Sequence, residues 1–180
     1  LAMRGIIESR QGDGTYLLTG MDGLDGQEAL LDAINEQGHL LQDIIEFRQI
    51  VEPEIAALAA MRISPDALNR LKILVCDQQR AVLSGREDDC FDGAFHRQLA
   101  KSAKNQVLGQ VMTVLQSIID ASRSVWLQSG ERQRASMEGH LRIIDALEDG
   151  DAEEERLAMS AHIAEVGNNI FDHAAASSQE

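Results

Sequence analysis

The sequence predicts an all-α antiparallel helical bundle preceded by a short β-hairpin. Three observations carry that expectation. Aromatic residues make up only 3% of the 180 residues and Pro occurs only twice, while helix formers such as Ala, Leu, Glu and Gln are abundant. From residue 21 onward, apolar residues recur at three- and four-residue spacing, the period of one helix face. Only residues 1–20 depart from this, with β-branched and aromatic residues set around two glycines.

Gly5-Ile6-Ile7-Glu8-Ser9-Arg10 leads through Gln11-Gly12-Asp13-Gly14 into Thr15-Tyr16-Leu17-Leu18, which reads as strand, tight turn, strand. Gly12 and Gly14 supply the positive φ angles of the turn. A lone hairpin does not hold together in water. It is therefore expected to belong to a larger domain whose N-terminal part lies outside this sequence. Arg4 and Arg10 balance Glu8 and Asp13, so the net charge of -14 falls entirely on residues 21–180. That step places a domain boundary near Thr19–Gly23.

The bundle follows. Asp25, with Glu28 at the reciprocal capping position, opens a helix through Leu30, Leu31 and Ile34 to Gly38. A second stretch, His39 to about Arg62, carries Leu40, Leu41, Ile44, Ile45, Ile50, Val51, Ile55 and Leu58. Pro53 lies inside it and predicts a kink or break. Ser64-Pro65 caps a third helix that ends at Gly85. Glu87-Asp88-Asp89 favours a helix start before Phe91, Phe95, His96 and Leu99. Further helices are expected over Val107–Leu127, about Arg134–Leu147 and about Ala152–His173, leaving residues 176–180 as a flexible tail.

A surface that binds phosphates needs clustered cations, so the acidic body is not expected to coat nucleic acid or an anionic membrane. No apolar run approaches the ~20 residues of a membrane helix. Cys76 and Cys90 form no Cys-x-x-Cys pair; they are expected as core fillers in a cytoplasmic protein.

Chemistry gathers on histidine. Asp92 and His96 are four apart and share one helix face. His140 precedes Ile143, Ile144 and Leu147 at apolar spacing, and His162 sits between Met159 and Val166 in the same way. Three helices thus point Asp plus His, His, and His into one core. Buried imidazoles and a buried carboxylate need partners, and one divalent cation satisfies all four. A mixed oxygen and nitrogen set suits zinc first, with nickel, iron or manganese as alternatives. His39 and His173 are expected outside the core. A metalloenzyme, hydrolase or oxygenase, could use the same ligands, with Glu165 as the nearest general base. Gly-rich phosphate loops, Gly-x-Ser-x-Gly and His-Glu-x-x-His are absent.

The hairpin sequence Gly5–Leu17 resembles the wing of the winged helix-turn-helix in GntR-type bacterial transcription regulators. The remainder resembles the FCD effector domain of their FadR-type branch. The shared features are Arg48-Gln49-Ile50-Val51-Glu52-Pro53, Asp92-Gly93-Ala94-Phe95-His96, Gly139-His140-Leu141-Arg142-Ile143-Ile144, and His162 in the last helix. The resemblance implies a domain division into a wing remnant (1–20), an effector and dimerisation domain (21–175) and a tail (176–180). It implies a non-enzymatic, ligand-sensing homodimer whose metal is held by Asp92, His96, His140 and His162. Arg48 matches a pocket arginine suited to pairing bidentately with a carboxylate, and Trp126 is expected in the pocket wall. The implied effector is a small carboxylic acid of lactate, pyruvate or sugar-acid type. Arg4, Arg10, Gly12, Gly14 and Thr15 would belong to the DNA-contacting wing. Operator DNA is implied as a partner of the full-length protein only, because the base-reading helix is not in this sequence.

Overall fold

The computed structural model describes residues 7–10, 14–17, 40–85, 89–122 and 130–177. The chain divides into two compact units, Leu1–Gly38 and His39–Glu180. In the first, β1 (Ile7–Arg10) pairs antiparallel with β2 (Gly14–Leu17), with Ile7 opposite Leu17 and Arg10 opposite Gly14. This is the expected hairpin. Arg4, Gly12 and the Asp25–Gly38 helix lie outside the described residues.

The second unit contains six helices among the described residues. They are α1 (Leu40–Arg62), α2 (Pro65–Leu83), α3 (Asp89–Ser102), α4 (Gln106–Ser122), α5 (Gly130–Asp149) and α6 (Ala152–Ser177). Short polar signals set their ends. The Ser64 hydroxyl accepts from the Ala67 amide, with Pro65 at the first helical position. Asn105 Oδ1 accepts from the Val107 amide at 3.0 Å to start α4. Asp151 Oδ1 accepts from Glu153 and Glu154 amides to start α6. Gly150 ends α5 at φ +69°, a conformation that a side chain would strain.

α1 packs along α6 and α3, α6 along α5, α2 against α3 and α5, and α4 against α3. The main core gathers Leu71, Val75, Phe95, Leu99, Ile143, Leu147, Met159 and Ile163. No helix among the described residues is long and apolar enough to cross a membrane.

Two sequence expectations need correction. Pro53 does not break α1, which runs continuously through it. Pro53 removes one backbone donor, but the buried Arg48–Glu52 pair sits just before it and Ile55, Ala56 and Ala57 just after it are buried. Packing therefore outweighs the one lost hydrogen bond. Cys76 is exposed and is not a core filler, because Leu71, Val75 and Gln78 take the buried stripe of α2.

Candidate metal centre

α3 presents Asp92 and His96 one turn apart, and α5 and α6 bring His140 and His162 to the same point. All four are buried, and their ligand atoms lie within 4.8 Å of one another. His96 Nε2 is 3.4 Å from His140 Nε2 and 3.2 Å from His162 Nε2. His140 Nε2 is 3.7 Å from Asp92 Oδ1. Ligands at about 2.1 Å from one tetrahedral ion would be roughly 3.4 Å apart. These three separations are close to that spacing, and all four ligand groups lie within 4.8 Å of one another.

Neighbours aim these rings. His140 Nδ1 donates to Gln78 Oε1 at 2.8 Å, leaving its Nε2 lone pair facing the centre. His96 Nδ1 lies 2.5 Å from Glu52 Oε2. A carboxylate can only accept, so the proton sits on Nδ1 and the His96 lone pair also faces inward. Two such lone pairs 3.4 Å apart repel unless something positive lies between or beside them. The Ser136 hydroxyl donates to Asp92 Oδ1 at 2.6 Å. These contacts are the outer supports that a ligand set needs to hold its direction. Phe95 stacks on His140 with ring centroids 4.0 Å apart and closes the site with hydrocarbon.

Electrostatics favour the neutral, metal-ready imidazole. Burial pushes His140 down to about 3, reinforced by His96 and Arg48 and opposed by Asp92 and Glu52. Burial, with His140 and His96 adding to it, also holds His162 well below the usual histidine range. Burial alone would raise Glu52, but Arg48 and His96 override it and bring the carboxyl to about 2. Glu52 is thus an anion that fixes both neighbours.

Arg48 is buried at the edge of this centre. Its Nε donates to Glu52 Oε1 at 2.5 Å, and its Nη2 lies 3.2 Å from His96 Nε2. Burial disfavours its charge, but Glu52 and Asp92 more than compensate and it stays a cation. The structure therefore joins Arg48 to the Asp/His cluster. Gly139 permits the close approach of α5 to α6: a Cβ there would overlap His162 Nδ1 and stand 3.0 Å from its Cγ. Trp126 lies outside the described residues. Arg10, Gly14 and Thr15 are in the hairpin, in a separate unit from the helices. Glu165 is half-exposed, and its carboxylate accepts from Arg142 at 2.6 Å.

Sequence reasoning did not single out Glu52, Gln78, Ser136 or Gly139 as site residues. Ser136 is one turn before His140 and Glu52 one turn after Arg48, so helical spacing could have flagged both. Gln78 carries no such signal, because it reaches His140 from 62 residues away. Among the described residues, two other buried polar side chains have no partner for their polar atoms: the Gln116 amide on α4 and the Glu155 carboxyl on α6. Each unmet buried group costs about 1–3 kcal/mol. Burial raises Glu155 to about 9.

Comparison with known proteins bears on this centre. The FCD domain family matches residues 43–165, which span the whole Asp/His set. The chain is 27% identical over 171 residues to the HTH-type transcriptional regulator LutR of Bacillus subtilis, covering 92% of this chain and 78% of that protein. It is 33% identical over 173 residues to the putative L-lactate dehydrogenase operon regulatory protein of Escherichia coli, covering 91% of this chain and 66% of that one. The structure is similar to that of a GntR protein of Streptococcus agalactiae, with TM-score 0.69 and 32% identity over 92% of this chain and 76% of that one.

Proposed function

The chain belongs to the FCD-domain family of GntR-type transcription regulators, and from that premise we propose that it is an effector-sensing domain that is not an enzyme. In this reading Asp92, His96, His140 and His162 hold one divalent cation, zinc in the first instance. The observation that carries it is the convergence of Asp92, His96, His140 and His162, all buried, with one ligand atom of each within 4.8 Å of the others.

The bound ion would supply a Lewis-acidic coordination position for a carboxylate oxygen. This chain's own side chains do the rest. Gln78 and Glu52 hold the His140 and His96 protons on Nδ1. Ser136 fixes one Asp92 oxygen. Arg48 keeps its charge in the buried core and offers guanidinium N–H groups to an acid. Phe95 keeps water from one side of the site.

The effector is a small carboxylic acid. The names of the relatives put lactate ahead of pyruvate and sugar acids. The whole protein would be a cytoplasmic homodimer whose grip on operator DNA shifts with the acid, because the acid binds one dimer geometry better than the other. Metal analysis of protein purified without chelator tests the centre. About one divalent ion per chain is expected, with His140→Ala losing it while remaining helical. Unchanged metal content in His140→Ala would overturn the assignment.

A further inference from the structure

Gln116 is fully buried, and neither its Oε1 nor its Nε2 has a partner. Its position follows from the helix contacts. Met112, Gln116 and Ile119 form one buried stripe of α4. Met112 shares one buried cluster with Ile55 of α1 and Ala100 and Ala103 of α3. At the other end of the stripe, Arg97 Nη1 donates to Asp120 Oδ2 at 3.0 Å, so α4 runs antiparallel to α3. α1 runs parallel to α3, since Glu52 meets His96 and, further along both helices, Arg62 donates to the Ala103 carbonyl. One turn on from Met112 toward Asp120, the stripe therefore passes from the level of Ile55 and Ala100 to that of Glu52 and His96. That level is the edge of the Asp/His centre, where Arg48 also lies.

The chemistry there is one-sided without Gln116. Arg48 can only donate, and Glu52 already accepts from Arg48 and His96. A primary amide both donates and accepts. A plain carboxylate only accepts, whereas a hydroxyl beside a carboxylate also gives a proton. We infer that Gln116 is a specificity-determining residue that selects hydroxycarboxylates over their deoxy counterparts. Its Oε1 accepts the hydroxyl proton while its Nε2 donates to the neighbouring carboxylate oxygen, and Arg48 takes the rest of the acid. This rests on the acid-sensing reading above, and it narrows the effector class within it.

Calorimetric titration of zinc-loaded protein with matched acids tests it: L-lactate against propionate, and D-gluconate against hexanoate. In the wild type, the hydroxy acid of a responding pair should bind about tenfold or more tightly than its deoxy partner. Gln116→Leu should bring that ratio close to one, with zinc content unchanged. Without acid, it should also raise the melting temperature, because two unmet buried polar atoms are gone. Gln116→Met repeats the measurement with a more adaptable side chain. An unchanged ratio, or joint loss of both acids, overturns the inference while leaving acid sensing intact in the wild type. A lowered melting temperature in both variants also overturns it, because Gln116 would then be a structural group. If no acid binds the wild type, the acid-sensing reading itself falls, and this inference with it.

Discussion

Replacing Glu155 by Gln should stabilise the protein, increasingly so as pH rises. Glu155 is buried on α6 with both carboxyl oxygens unpartnered, and burial raises it from 4.5 to about 9. In the folded chain it is a neutral acid at pH 7, whereas in the unfolded chain it is ionised. A group raised on folding contributes fully below its unfolded value, and its contribution is lost as pH climbs toward the folded one. Each pH unit above 4.5 costs about 1.4 kcal/mol, which amounts to at most about 3.4 kcal/mol at pH 7. Against a total of about 5–15 kcal/mol for a typical domain, that is large. Gln keeps the shape and hydrogen-bonding capacity of the protonated acid and does not titrate. Urea unfolding at pH 5, 6, 7 and 8 reads the difference from the midpoints, provided the slopes match. The curves of wild type and Glu155→Gln should lie within about 1 kcal/mol of each other at pH 5 and separate steadily above it, to about 3 kcal/mol at pH 7. A gap that stays constant from pH 5 to pH 8 would refute the reasoning, because Glu155 would then be ionised in the fold.

Two further predictions concern the centre. Gly139→Ala should displace the His162 ring, and Gln78→Leu should free His140 to turn. Each is expected to weaken zinc affinity by about 10- to 100-fold in a chelator competition while far-ultraviolet circular dichroism stays unchanged; wild-type affinity in both would show that these contacts do not aim the ligands. In metal-free protein, the depressed values of His140 and His162 make stability fall as pH drops below about 6.5, since the unfolded chain takes up protons that the core refuses. Glu52, lowered to about 2, adds to the same acid limb below 4.5. Urea midpoints at pH 7, 5.5 and 4 check this, and a flat profile would contradict it.

The candidate ligands were legible because each stands on an amphipathic helix whose apolar neighbours reveal which side faces inward. Asp92 and His96 show their common face by four-residue spacing alone, and His140 and His162 by the Ile, Leu, Met and Val residues around them. That three separate helices meet at one point is a tertiary fact, and only the joint pattern hinted at it. Arg48 could be placed at the pocket only through resemblance; as a residue it reads equally well as a surface ion pair. The contacts that hold the ligands were mostly illegible. Gln78 looks like any polar helix residue until α2 is laid against α5. Gly139 has no turn to explain it and makes sense only when His162 is seen beneath it. Pro53 misled for a related reason: local sequence reports the lost hydrogen bond and is silent about the packing on either side.

Formal charge at the centre bears on what it can bind. Arg48 contributes one positive charge, Glu52 and Asp92 one negative charge each, and the imidazoles of His140 and His162 are held neutral by burial. With neutral His96 as well, as a ligand must be, the set sums to minus one. A site this deep tolerates net charge poorly, since each uncompensated ion forfeits several kcal/mol of hydration. One divalent cation, as proposed, moves the sum to plus one. A single carboxylate then brings it to zero, whereas a dicarboxylate would return it to minus one in the same low-polarity surroundings. In that reading the charge balance would favour monocarboxylates, on grounds independent of the relatives' names. The unmet Gln116 amide, in the role inferred above, would favour hydroxyl-bearing acids among them. The two constraints meet on small hydroxy monoacids, and each can be tested without the other.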